Sequence, residues 1–361
     1  MASPTPVPGL LEIDPYVGGR AAAPGAHRIF KLSSNESPLG ASPRAAAAYA
    51  EAAAKLAVYP EGSSSVLREA VAELYGLNPA RIVCGNGSDE LLHLIAQCYC
   101  RPGDEVLFSE HGFLVYPIAA RAASAIPVTA PETDFTASVD ALIARLTAKT
   151  RLVFIANPNN PTGTWLAPAE LEAFIASLPA QVLCVLDEAY GEYMSPGQLP
   201  DSVGWLERYP NLVITRTFSK AYGLAGLRVG YALAHAQVTD LLNRVRQPFN
   251  VNLPALTAAT AALGDAAYLA EAVALNRSGL QQWQDGLTAL GLGWLPSAGN
   301  FLCVDLKGRS GRELFQRLLP KGVILRPVDN YGLPGHIRVT LGTGRENAIA
   351  LAALGEVLAA G

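Results

Sequence analysis

Three residues in apolar surroundings could carry chemistry. Lys220 lies in TFSKAYGLAGLRVG (217–230), and Arg228 follows eight residues later. Asp187 ends the apolar run QVLCVLD (181–187), where a carboxylate is costly unless it meets a cation. A lysine among small and apolar neighbours can lose its proton readily and act as a nucleophilic amine. The bland reading of Lys220 is a stem that snorkels to the surface. Thr217, Ser219 and Arg228 argue against it, because together they look like a phosphate anchor beside an amine.

Two further loops fit the same picture. In GNGSDE (85–90), glycines allow close backbone approach, and Ser88 is the expected cap of a helix whose free amides could cradle a phosphate. Taken alone, that stretch reads as an ordinary capped helix behind a glycine turn. NPNNPTG (157–163) is a rigid loop in which Asn160 is the residue best placed to offer an amide to a ligand. Tyr190, three residues past Asp187, could add a phenol. A phosphate anchor, an aldehyde-reactive lysine and a carboxylate for a ring nitrogen together describe pyridoxal 5'-phosphate.

The elements that would hold these groups can be read from hydropathy. Continuous apolar runs at 81–85, 104–109, 151–156, 181–187, 211–217 and 228–234 alternate with helical patterns such as 88–100 and 167–178. Strands apolar on both faces belong to sheets covered by helices on both sides. The fold class expected is therefore α/β, with a large, doubly wound, mostly parallel sheet. Ligands of such sheets bind beyond the carboxyl ends of the strands, where all four loops lie. After about 245 helical patterns dominate, followed by short strands at 301–306, 323–328 and 336–341 and a helix over 344–358. The expected division is an N-terminal arm at 1–35 packing with the small domain, a large domain at 36–247 and a small α+β domain at 248–361.

Composition narrows the function classes. Of 361 residues half are hydrophobic and 16% charged, so a large core can form, and the net charge of −4 without basic runs gives no footprint for nucleic acid. Five irregularly spaced cysteines argue against a disulfide framework, and the histidines show no metal-ligand spacing. The N-terminus lacks the pattern of a signal peptide and no apolar run reaches a membrane span, so a cytoplasmic protein is expected.

NPNNPTG, DEAY and TFSKAYGLAGLRVG together resemble the class I/II aminotransferases of fold type I. Within that group, LSSNESPLG (32–40), YPEGSSSVLREAVAELYG (59–76), GNGSDELL (85–92), PFNVN (248–252) and VILRPVDNYGLPGHIRVTLGT (323–343) are most similar to the histidinol-phosphate aminotransferases. The resemblance implies that Lys220 binds the cofactor aldehyde and then shuttles the substrate proton. It implies that Asp187 pairs with the ring nitrogen, Asn160 and Tyr190 bond the ring hydroxyl oxygen, and Phe113 stacks on the ring. Gly87, Ser88, Asp89, Thr217, Ser219 and Arg228 would surround the phosphate, and Tyr59 would reach the phosphate of a neighbouring subunit in a homodimer with shared sites. Arg338 would bind the α-carboxylate of glutamate and the phosphate of histidinol phosphate. Arg326 would assist, unless it is a surface ion pair, and Tyr16 and Asn35 would line the mouth. The implied reaction moves an amino group between L-histidinol phosphate and 2-oxoglutarate in histidine biosynthesis. An aromatic amino-acid aminotransferase and a threonine-phosphate decarboxylase are the alternatives. SEHGFLVYP (109–117) departs from the Pro-Thr-aromatic sequence of many relatives and leaves His111 as a loop histidine rather than a catalytic one.

Overall fold

The computed structural model describes residues 4–7, 9–15, 18, 20, 22 and 28–360. Its centre is a seven-stranded sheet: β1 (Ile82–Gly85), β2 (Glu105–Ser109), β3 (Ile126–Ala130), β4 (Thr150–Ala156), β5 (Leu183–Asp187), β6 (Leu212–Thr217) and β7 (Gly230–Ala234). The spatial order is β1-β7-β6-β5-β4-β2-β3. β7 runs antiparallel to both its neighbours, and the remaining pairs are parallel.

The continuous apolar runs have a direct explanation. Side chains alternate between the two faces of a strand, and both faces are buried. On β5, Cys184 and Leu186 enter one core with Phe174, Phe218 and Tyr231, while Leu183 and Val185 enter the other with Leu91, Leu92 and Phe154. β3 is the strand that the sequence reading lacks. It is a half-exposed edge strand carrying Pro127, a residue confined to edges because it has no N–H for the ladder.

The second core gathers Trp283, Leu302, Leu314, Ile337 and Leu354 around an antiparallel four-stranded sheet of Gly293–Trp294, Phe301–Asp305, His336–Thr340 and Arg326–Pro327. The arm touches both domains. Phe30–Lys31 pairs parallel with Val323–Ile324, and Leu32 joins the small core, whereas Glu12 reaches Arg121 of the large domain at 3.3 Å. Helix Leu253–Leu263, expected to open the small domain, instead sends Ala255, Ala258, Ala259 and Ala262 into the large core. Its alanine face permits close approach to helix Pro43–Ala52. We propose that the domain division falls near Asp265, past that helix, rather than at residue 248. Among the described residues no single helix is long and apolar enough to cross a membrane.

Candidate active site

Strand direction brings the four loops together. Because β7 is reversed, its first residue, Gly230, lies opposite both Gly85 at the end of β1 and Thr217 at the end of β6. Asp187 stands between Ala156 and Thr215 in the same layer. The loops open into a cavity of about 230 Å³. A water's share of the liquid is about 30 Å³, so the space suits a small organic molecule. Ser88, Asp89, Phe113, Asn160, Asp187, Tyr190, Thr217, Ser219, Lys220, Arg228, Arg326, Arg338 and Asn35 all line it.

Lys220 follows β6 by three residues, and its Nζ donates to the Ser34 carbonyl at 3.2 Å. It stands 5.7 Å from the centre of the Tyr190 ring. No carboxylate forms an ion pair with it among the described residues. Burial, and next the charge of Arg338, bring its amine down from 10.5 to about 8.

Asp187 is buried, and among the described residues its side chain meets only neutral donors. Tyr116 Oη donates to one oxygen at 3.0 Å and Thr215 Oγ1 to the other at 3.1 Å. Burial pushes its carboxyl up to about 6, against the opposing pull of those bonds. A buried carboxylate without a cationic partner is stabilised by a ligand that brings one.

The phosphate side is built from backbone as much as from side chains. Gly87 holds φ at +81°, and a Cβ there would lie 2.6 Å from Arg228 Nη2. A Cβ on Gly230 would lie 2.7 Å from the Ser88 nitrogen. Helix Ser88–Tyr99 starts at Ser88 itself, with Gly87 as its cap and no side-chain capping bond. The expected capping role of Ser88 is thereby corrected: a glycine is required at the left-handed position, and the first-turn amides stay open for an anion. Arg228, at φ +54°, reaches Ser219 Oγ at 3.3 Å and Asp89 Oδ2 at 3.3 Å. Thr217 Oγ1 donates to Ser219 Oγ at 3.0 Å.

Arg338 and Arg326 pair across adjacent antiparallel strands, which puts both on one face. Arg338 is buried; it donates to the Asn160 side-chain oxygen and, at 2.7 Å, to the Ser33 carbonyl. Its Nε has no partner, and no carboxylate pairs with it among the described residues. A buried guanidinium in that state calls for an anion in the cavity.

Other expected residues fall differently. Asn35 lines the cavity from a buried left-handed turn; it donates to Tyr190 Oη at 2.8 Å and its N–H to Thr340 Oγ1 at 2.9 Å. Tyr190 accepts that bond, which leaves its hydroxyl hydrogen free to donate elsewhere. Tyr59 does not line the cavity of its own chain; it is 78% exposed and stacks on Phe249 at 4.7 Å. Tyr16 lies outside the described residues. His111 is held by Glu132 at 2.8 Å, away from the cavity lining.

Tyr116, Thr215, the Ser33 and Ser34 carbonyls and Tyr331 are site residues that sequence reading missed. Thr215 could have been noticed as a polar residue inside an apolar strand, and Tyr116 as an aromatic one helical turn past Phe113. The carbonyls leave no trace in sequence.

A large mostly parallel sheet with a smaller α+β unit, and a buried lysine and aspartate at the switch of strand direction, define the fold type I transferases. The profile of the family described as aminotransferase class I and II matches residues 27–354. The chain is 50% identical to histidinol-phosphate aminotransferase 2 of Pseudomonas fluorescens, over 98% of this chain and 97% of the relative. The crystal structure of histidinol-phosphate aminotransferase from Sinorhizobium meliloti in complex with pyridoxal-5'-phosphate superposes with a TM-score of 0.92 at 32% identity, covering 99% of each chain. L-threonine-O-3-phosphate decarboxylase from Porphyromonas gingivalis shares the fold, with a TM-score of 0.80 at 24% identity, over 92% of this chain and all of that one. The chain belongs to the aminotransferase class I and II family.

Proposed function

We propose that this protein is a pyridoxal-phosphate-dependent aminotransferase that moves the amino group between L-histidinol phosphate and 2-oxoglutarate in histidine biosynthesis. The observation that carries this reading is a buried amine, with a buried carboxylate lacking a cation and a buried guanidinium lacking an anion among the described residues, all facing one cavity. Identity of 50% over nearly the whole chain to a histidinol-phosphate aminotransferase supports the substrate pair.

When bound, pyridoxal phosphate supplies an aldehyde that accepts the amino group and a ring that withdraws electrons from the substrate carbon. Lys220 offers the amine that holds the aldehyde. With a proton affinity near pH 8 it can also take and return the substrate proton. Asp187 holds a proton at the ring nitrogen by accepting it in a charge-assisted hydrogen bond. Arg228, the Ser88 amide, Thr217, Ser219 and the Gly87 turn hold the phosphate, with Asp89 fixing Arg228. Tyr190 and Asn160 would hydrogen-bond the ring hydroxyl oxygen, and Phe113, also in the cavity lining, would pack against the ring. Arg338, aided by Arg326, binds the carboxylate of glutamate and the phosphate of histidinol phosphate; the planar fork suits both anions.

The exposed Tyr59–Phe249 stack supports a homodimer in which Tyr59 completes the partner's phosphate site. Five unpaired cysteines support a reducing, cytoplasmic setting. The test is spectroscopic. Adding L-glutamate to the protein loaded with pyridoxal phosphate should bleach the visible cofactor band and release 2-oxoglutarate. An unchanged spectrum contradicts the reading.

A further inference from the structure

Asp187 is held in an unusual way for a buried charge. Each oxygen takes one side-chain hydrogen bond, and both donors are neutral hydroxyls. Tyr116 is fully buried, its ring parallel to Phe154 at 4.7 Å and 7°, which fixes the direction of its hydroxyl. The same ring makes a T-shaped contact with Phe113 at 5.9 Å and 89°. Thr215 lies directly opposite Asp187 in the β5–β6 register. We propose that Tyr116 and Thr215 are positioning residues that clamp one Asp187 oxygen each and aim the carboxylate at the cofactor's ring nitrogen, with Tyr116 also setting the tilt of Phe113.

This inference rests on the cofactor reading above. Its physical basis is the neutrality of the donors. A lysine or arginine at either place would pair with Asp187 and satisfy its charge within the protein. A hydroxyl fixes the oxygen and leaves the charge for the ligand. Burial raises the Tyr116 phenol well above its ordinary range, so it stays a neutral donor at every working pH. The hydrogen bond it gives lowers the Asp187 carboxyl, against desolvation. The other ionisable groups acting on Asp187 and its clamp, Asp89 and Tyr190, are left in place by changes at Tyr116 or Thr215.

The experiment is titration of cofactor-free full-length protein with pyridoxal phosphate across pH, for wild type, Tyr116→Phe, Thr215→Val and Thr215→Ser. Wild type should bind and lose affinity toward acid in two steps, first as the Lys220 amine gains a proton near pH 8 and again near pH 6 as Asp187 does, the second step being the acid limb read here. Tyr116→Phe should weaken binding a few-fold at neutral pH, because more of the cofactor-free protein then carries a protonated Asp187. It should also move the acid limb to higher pH, because a donor to the charged form has gone. Thr215→Ser should keep the wild-type limb, and Thr215→Val should shift it as Tyr116→Phe does. A merely structural role would lower affinity equally at all pH values. An acid limb unmoved in Tyr116→Phe overturns the proposal. Should that variant fail to fold by circular dichroism, an unmoved limb in Thr215→Val overturns it instead. Wild type that does not bind pyridoxal phosphate overturns the cofactor reading itself.

Discussion

Replacing Arg338 with glutamine removes a buried cation that has no anionic partner among the described residues. Arg338 is 6% exposed, its Nε is unpartnered, and its two terminal nitrogens each give one hydrogen, to the Asn160 side chain and the Ser33 carbonyl. Truncating one member of a buried, hydrogen-bonded charge pair costs about 2–5 kcal/mol. At about 1.4 kcal/mol per decade, that is roughly 30-fold to several-thousand-fold in affinity. Glutamine keeps one donor, and Arg326 shares the same face, so a loss on the order of a hundredfold is expected. The carboxylate is bound alike before and during the chemistry, so the loss should fall on KM for 2-oxoglutarate and glutamate more than on kcat. Steady-state kinetics with 2-oxoglutarate varied reads it directly. The same change acts on Lys220, whose amine is held at about 8 by burial and then by the charge of Arg338. Without that charge the amine should titrate higher, toward 10.5. The rate at which cofactor-free protein captures pyridoxal phosphate depends on the neutral amine, so its pH midpoint should rise. An Arg338→Gln enzyme with unchanged KM for 2-oxoglutarate and an unchanged capture midpoint would refute the reasoning.

Lys220→Ala should fold with an unchanged circular dichroism spectrum and show no transamination above background, measured as glutamate formed. Arg228→Ala removes the guanidinium beside the Gly87 turn and should raise the dissociation constant for pyridoxal phosphate about tenfold or more, measured by equilibrium dialysis. In cofactor-free protein Asp187 titrates near 6 when folded against 3.8 ordinarily. The folded chain therefore holds more protons than the unfolded chain between those values, and the penalty of the buried charge, full above about pH 6, is relieved as pH falls toward 4. Chemical denaturation of wild type against Asp187→Asn at pH 7 and pH 5 should show the stability gap narrowing at the lower pH.

The residues that announce the site in sequence are those that interrupt apolar strands at their ends. Asp187 closes β5, and Lys220 and Arg228 flank the reversal from β6 to β7, so a reading of strand ends brings them together. Gly87 was legible as a turn, although its steric demand toward Arg228 appears only in three dimensions. What stayed hidden depends on register and packing. Tyr116 meets Asp187 because its ring lies on Phe154, a contact between residues 38 positions apart in the chain. Asn35 lines the cavity, but its bonds to Thr340 and Tyr190, over 305 and 155 positions, depend on its left-handed backbone and on the tertiary fold. Edge strand β3 escaped notice because half exposure and Pro127 blur its apolar pattern. Helix Leu253–Leu263 has an alanine face that fits either core, so its place was not set by local sequence.

The most direct test of the central claim is turnover of L-histidinol phosphate. Purified protein supplied with pyridoxal phosphate and 2-oxoglutarate should convert it with formation of glutamate, and with a higher kcat/KM than for phenylalanine or tyrosine. Absence of glutamate, or a clear preference for an aromatic amino acid, would contradict the account.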